Sequence, residues 1–397
     1  MSIGRRLPPE RQTYRAPNGR KITRHTTARA HSYPLYYFTP SESADGRSLV
    51  FHSERDGFVQ LYRLTLETGE IVQLTDGRTE DSGWAIWCEW HLRGIRSHLS
   101  AINLARNEVY YFEDDEIRGT HLETLANRRI AALPEGRLSI GQTDVSPDGK
   151  LFAFIHVDSE RYVARLEERE ALTAMRQFHW DRDHQAFRDA IPTKLAVLDT
   201  TTGAIRTVIE MPFHFHHALF VDDETILVNH PHGEPGMWVV KTDGTGFEHW
   251  RPSRMPGTQK TAVNHQLVTR NGIVYEAVGE DGSGNRVTRF GRFDPVTRTF
   301  SEGTLPLPGY CHAGFDPAGT FDFIEHAGPP HEILTLHPGD PLGVTPLLTL
   351  RSPDHDQQRH HAHPFLSRDR RTLFFTDWDD DGFAQIHSMP IGDLAHA

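Results

Sequence analysis

Short runs in which Val, Ile, Leu, Phe and Tyr cluster between polar turns recur along the whole chain, as in Ser48-Leu49-Val50-Phe51, Leu151-Phe152-Ala153-Phe154, Thr225-Ile226-Leu227-Val228 and Thr372-Leu373-Phe374-Phe375. Runs of this length and composition predict β-strands. Most follow a turn of the Ser-Pro-Asp-Gly type, intact at Ser146 to Gly149 and degraded at Ala44-Asp45-Gly46, Arg270-Asn271-Gly272, Asp316 to Gly319 and Ser367 to Arg370. Turns rich in Asp, Asn and Gly favour hairpins. A further strand and a second turn come next, seen at Leu66-Glu67-Thr68-Gly69, Asp199-Thr200-Thr201-Thr202-Gly203, Thr242-Asp243-Gly244 and Asp294-Pro295-Val296-Thr297. The repeating unit is one four-stranded antiparallel sheet.

The first turns fall near residues 46, 106, 149, 223, 271, 318 and 369. Seven such units predict an all-β fold, a seven-bladed β-propeller formed as a single domain over residues 1–397. The phrase Asp56-Gly57-Phe58-Val59-Gln60-Leu61 returns as Asp381-Gly382-Phe383-Ala384-Gln385-Ile386, as expected of repeated blades. The last unit is short, so an N-terminal strand is expected to complete it and close the ring. Glu160 to Ala190 departs from the pattern: it is rich in Glu, Arg, Leu and Ala, strong helix formers, and predicts a helical insertion in the third blade at about 160–190. It reads as a lid or subunit contact, or equally as a solvated decoration.

Composition narrows the function classes. No stretch reaches the roughly 18 uninterrupted apolar residues of a membrane span, and the start, MSIGRRLPPERQTYR, lacks the apolar core of a signal peptide. A cytoplasmic protein with no membrane partner is expected. The formal charge of −12, without a basic run, argues against nucleic acid, whose binding relies on clustered Lys and Arg. Cys88 and Cys311 are too few for a disulfide framework or a thiolate zinc site and are expected to be inert thiols. The 26 histidines are the unusual count, since imidazole suits both proton transfer near neutral pH and metal binding.

Their placement is not random. Counting back seven positions from the turn glycine or its substitute gives Gln142, His217, His265, His312 and His363. With 26 histidines in 397 residues, four of five arises by chance on the order of once in ten thousand. In a propeller this offset lies at the start of the strand nearest the axis, so these side chains are expected to converge at one mouth of the channel. In Gln358-Arg359-His360-His361-Ala362-His363-Pro364, alternation along an extended strand predicts His361 and His363 on one face. Gln358 adds an amide oxygen and His312 of the adjacent blade a third imidazole. Three imidazoles suit zinc, whereas an added neutral oxygen and open water positions are also compatible with Mn²⁺ or Fe²⁺.

Other motifs carry less. Asp377-Trp378-Asp379-Asp380-Asp381-Gly382 imitates half an EF-hand loop but has Ser388 where the bidentate Glu belongs, so it reads as a blade turn. No Gly-x-Ser-x-Gly elbow is present, which counts against a serine peptidase or esterase. His230-Pro231-His232-Gly233 is placed either facing the channel or in a strand-end loop.

These residues resemble the oligogalacturonate lyases, seven-bladed propellers that cleave short pectin-derived uronides by β-elimination with bound Mn²⁺. The resemblance runs from Arg11-Gln12-Thr13-Tyr14 and Lys21-Ile22-Thr23-Arg24, through His31 and Tyr36-Tyr37-Phe38, to the final blade. Its most specific part is Gln358-x-x-His361-x-His363-Pro364 with His312, similar to the family's metal set. The resemblance implies a small anionic oligosaccharide as substrate and His265 as general base. His31, His217 and His232 become candidate contacts to sugar hydroxyls or the leaving oxygen. Two departures bear on the substrate: Gly236 stands where the family carries an Arg, before Met237-Trp238, and His265 is followed by Gln266-Leu267 instead of Glu-Phe. A related uronide is therefore also a candidate substrate. A non-catalytic sugar-binding or interaction propeller and a metal-dependent hydrolase are the competing readings, because fold does not fix function.

Overall fold

Seven antiparallel sheets succeed one another along the chain as the blades of a propeller. The structure is a computed structural model and describes residues 2–80, 92–178, 190–215, 217–229, 236–254, 261–307, 311–313, 323–326, 328, 330–352, 359 and 361–392. Blade 1 is built on Ser32–Pro34, Ser48–Ser53, Gln60–Thr65 and Ile71–Gln73, with Arg6–Leu7 added at its outer edge. Blades 2 to 6 begin with the inner strands Ala101–Asn103, Arg137–Val145, Ala218–Phe220, Thr261–Thr269 and Cys311–Ala313 and are four-stranded meanders.

Blade 7 closes the ring as expected. Its chain-terminal strands Phe365–Leu366, Thr372–Trp378 and Ala384–Pro390 are joined by Lys21–Arg24, which pairs Thr23 with Ser388 and Arg24 with His387, and then by Gln12–Arg15. Leu49, Phe51, Tyr62, Leu64 and Ile71 of blade 1 pack on Phe365, Phe374 and Ile386 of blade 7. Each such fully buried side chain contributes about 1.5–3 kcal/mol relative to exposure, so the seam is held by apolar burial as well as by the shared sheet.

The repeat of the blade turns has a chemical basis. In blade 3 the Ser146 hydroxyl donates to Asp148 at 2.8 Å and accepts from the Leu151 N–H at 3.0 Å, while Asp148 accepts from the Lys150 N–H at 3.0 Å. Ser43 with Asp45 and Ser367 with Asp369 reproduce this arrangement in blades 1 and 7. The Ser-x-Asp pair satisfies the turn's own N–H groups, which is why it persists where the glycine is lost: Arg370 takes a φ of 60° in its place. Gly149 has a φ of 72°, and a Cβ there would lie 2.5 Å from Asn103 Oδ1. Gly149→Ala is accordingly expected to cost about 1–3 kcal/mol, seen as a lower denaturation midpoint; an unchanged midpoint would show that the turn relaxes freely.

The helix of the third blade covers Ser159–Ala174, between the second and third strands, while residues 179–189 of the expected insertion lie outside the described residues. Asp158 caps it, accepting from the Arg161 N–H at 2.9 Å. Tyr162, Leu166 and Arg169, spaced four and three apart, form its buried stripe, and Tyr162 and Leu166 join the core of blades 3 and 4. The Asp379 to Gly382 segment is a hairpin turn, with Asp379 Oδ1 accepting from Asp381 and Phe383. No helix among the described residues is long and apolar enough to cross a membrane.

Candidate metal centre and active site

The inner strands do not run straight to the axis. In blade 5 the register shifts between Asn264 and Leu267, and His265 adopts a φ of 50°. In blade 3 it shifts between Ile140 and Asp144, and the bulge carries Gln142 into a parallel bridge with His217 of blade 4. A bulge re-aims a side chain out of the ladder. The ring position defined by counting back from the turn is thus a bulge in these two strands, and side chains far apart in sequence meet as expected. His265 lies 4.4 Å from His312 between ring centroids, and His312 lies 4.7 Å from His361 and 4.8 Å from His363.

His361 and His363 come together by another route than the strand alternation expected. The strand of blade 7 begins only at Phe365, and His363 has a φ of 39°, so a left-handed residue rather than a pleat stacks the two rings at 5.5 Å. A non-glycine residue held in this region costs on the order of 1 kcal/mol or more and persists where surrounding bonds enforce it. Here the N–H groups of Ala362 and His363 donate to the Glu325 carboxylate at 2.8 and 3.3 Å, while the Ala362 carbonyl accepts from the Thr376 N–H of the neighbouring blade 7 strand at 2.8 Å, so this backbone is tied to both blades.

His312, His361 and His363 are buried, and one ring nitrogen from each lies within 4.8 Å of those of the other two. Burial pushes His312 down to about 3, with His265 adding to the effect, and burial likewise holds His363 well below the ordinary imidazole range. Both rings are therefore neutral at physiological pH, with lone pairs available as ligands. His363 Nε2 is buried with no hydrogen-bond partner among the described residues. A buried polar atom is ordinarily satisfied, so this orphaned nitrogen in a three-imidazole cluster fits a metal ion.

Two carboxylates support the rings, and neither is evident from the sequence. Glu276, on the second strand of blade 5, accepts from His265 Nδ1 at 2.6 Å. Glu325, on the second strand of blade 6, is the cross-strand partner of His312 and accepts from its Nδ1 at 3.0 Å. Blade 4 has an amide at the corresponding place with the direction reversed, Asn229 Nδ2 donating to His217 Nδ1 at 3.1 Å. The available signal is an acid inside an apolar run, Val274-Tyr275-Glu276-Ala277 and Phe323-Ile324-Glu325-His326, because a buried charge requires a partner.

The histidines meet a cluster of aromatic side chains. Tyr36, Tyr37 and Phe38, between the first two strands of blade 1, are buried and touch rings from most of the circle. Tyr36 contacts His98, His217 and His363; Tyr37 contacts His265, His312 and His363; Phe38 contacts His217. Thr39 continues across to bond the Thr143 carbonyl of blade 3 at 3.2 Å. These aromatics pack among the histidines of different blades.

The remaining sequence candidates divide. His217 belongs to the ring, with its second nitrogen 3.5 Å from the Tyr36 hydroxyl. His31 sits against Phe383 and accepts from the Ala384 N–H at 3.1 Å, at the start of the Ala384–Pro390 strand. Gln358, His232 and Cys88 lie outside the described residues. Gly236 has no room for a side chain: a Cβ would meet the His249 ring at 1.7 Å and the Arg251 carbonyl at 2.4 Å. His249 is fixed there by stacking on Trp238 at 4.3 Å. Gln266 donates to the Asn229 and Val263 carbonyl oxygens at 3.3 and 3.1 Å, bracing the partner of His217.

No protein-family model matches the chain. Curated relatives align with it from end to end. The oligogalacturonate lyase of Dickeya dadantii is 24% identical over 419 aligned residues that cover 99% of each chain. The oligogalacturonide lyase of Pectobacterium atrosepticum is 22% identical over 420, with the same coverage. Among solved structures, an oligogalacturonate lyase in complex with manganese superposes with a TM-score of 0.79 at 18% identity and covers 100% of both chains. The oligogalacturonate lyase from Vibrio parahaemolyticus gives 0.79 at 18% identity, covering 99% of both. The resemblance found in the sequence therefore holds over the whole length and in the seven-bladed fold.

Proposed function

We propose that this chain, similar to oligogalacturonate lyases from end to end, is a metal-dependent lyase that cleaves short uronides by β-elimination. Oligogalacturonate or a related uronic-acid disaccharide is the substrate. The observation that carries this reading is the contact between His265, held by its own carboxylate, and His312 of the three-histidine cluster. A base beside a cation site is what elimination next to a carboxylate requires.

His312, His361 and His363 hold the ion, with Gln358 as the fourth protein ligand. Mn²⁺ is the favoured metal because the solved relative of 0.79 TM-score is a manganese complex. A bound divalent cation supplies positive charge at the substrate carboxylate, where charge builds up as the neighbouring carbon loses its proton. His265 donates its Nδ1–H to Glu276, which leaves Nε2 as the basic nitrogen and fixes the ring. Nε2 takes the C5 proton. The C–H electrons form the C4–C5 double bond, the C4–oxygen bond breaks with its pair on the glycosidic oxygen, and that oxygen takes a proton from water. His217, engaged at both nitrogens, braces Tyr36 and through it the floor of the site. His31 and His232 remain the proposed sugar contacts.

Incubation with digalacturonate and Mn²⁺ is expected to generate an unsaturated uronide that absorbs in the ultraviolet and whose mass sums with its partner to that of the substrate. Products heavier by one water identify a hydrolase, and an unchanged sugar identifies a binding protein. Either outcome overturns elimination on this substrate.

A further inference from the structure

Glu325 is entirely buried, yet it accepts from four donors: His312 Nδ1 at 3.0 Å, His331 Nε2 at 2.8 Å, and the N–H groups of Ala362 and His363 at 2.8 and 3.3 Å. An acceptor of four donors is an ionised carboxylate. It touches every element that brings a ring to the cluster: the inner strand of blade 6 and the turn carrying His361 and His363. His331 is equally constrained. Its Nε2 faces Glu325 and its Nδ1 faces the Ser352 carbonyl at 3.2 Å, and a carbonyl only accepts. Both ring nitrogens must therefore carry hydrogen, which makes the ring a cation.

We propose that Glu325 is the positioning residue of the metal centre and that His331, held as a buried imidazolium, is its counter-charge. This rests on the reading of His312, His361 and His363 as metal ligands. The surroundings agree. The acidic groups that face His331 are Glu325 and Asp377, and the latter accepts from the Ser352 N–H at 3.3 Å and the Arg351 N–H at 2.8 Å. Burial alone lowers an imidazole pKa, but the hydrogen bond and charge of Glu325 outweigh it at His331 and raise its value.

The pairing has a functional logic. A lone carboxylate under the ligands would fix their rings but offset half the charge of a divalent cation. Joined to an imidazolium, it orients the rings as supporting carboxylates do at metal sites while leaving the positive field intact for an anionic sugar. The same bonds fix the left-handed turn at His363.

Two measurements test this. Mn²⁺ affinity, by chelator competition, is expected to fall about 10–100-fold in Glu325→Gln, with kcat recovering at excess Mn²⁺. Unchanged affinity in the folded variant, or turnover that excess metal does not restore, overturns the positioning role. Glu325→Gln leaves an amide among four donors and risks the fold, so the second measurement avoids it. Nitrogen-15 NMR of the histidine rings in metal-free wild type, with His331→Gln identifying the signal, is expected to show both His331 nitrogens protonated near neutral pH. A neutral ring overturns the counter-charge. Wild-type protein that fails to bind Mn²⁺ refutes the metal reading itself, whereas tight binding by both wild type and Glu325→Gln refutes only the inference drawn from Glu325.

Discussion

His265→Ala is expected to lower kcat/KM for uronide elimination by about 10²–10⁴-fold, the usual contribution of a general base, while Mn²⁺ binding stays intact. The separation follows from the geometry. His265 touches His312 but is not one of the three clustered rings, and its hydrogen bond runs to Glu276 on its own blade. Glu276→Gln is expected to move activity in the same direction by a smaller factor, since an amide neither stabilises the imidazolium that forms on proton uptake nor holds a single tautomer. Steady-state rates from ultraviolet absorbance, paired with elemental analysis of the same samples, check both points. Wild-type turnover in His265→Ala removes the base assignment. Loss of metal together with activity would instead make His265 part of the ion site.

Replacing His361 and His363 together by alanine is expected to empty the site and abolish turnover. The remaining imidazole, His312, offers one nitrogen, and the orphaned His363 Nε2 that marks the cluster as a site is gone. The blade is expected to stay folded, because its seam depends on Phe365, Phe374 and Ile386 rather than on these rings. Metal content by elemental analysis, with far-ultraviolet circular dichroism as the control for fold, checks this. Undiminished metal would refute the ligand set.

The blade count is legible because each unit announces itself through local chemistry: Ser146 with Asp148, and their counterparts, satisfy a turn within five residues. The histidine ring is legible for a related reason. The distance from the ring position to the turn is the same in each blade, so a fixed count finds His265, in a bulge, and His363, just ahead of its strand, even though their blades share little else. What counting misses is whatever arrives from another strand. Glu276 lies 11 residues beyond His265 and Glu325 lies 13 beyond His312, each across a hairpin, while His331 reaches Glu325 from beyond that strand. No single spacing covers all three. The alternation rule predicts the neighbourhood of His361 and His363 but not their conformation, because a carboxylate from blade 6 takes the Ala362 and His363 N–H groups and His363 turns left-handed. Gly236 shows the opposite case: the missing side chain is plain in the sequence, but only the position of His249 shows that the space itself has been given away.

The aromatic cluster among the histidines links blades that share no sheet. Tyr36, Tyr37 and Phe38, carried by one short segment of blade 1, touch rings of blades 2, 4, 5, 6 and 7. A change in Tyr36 or Tyr37 therefore reaches the histidines of several blades at once.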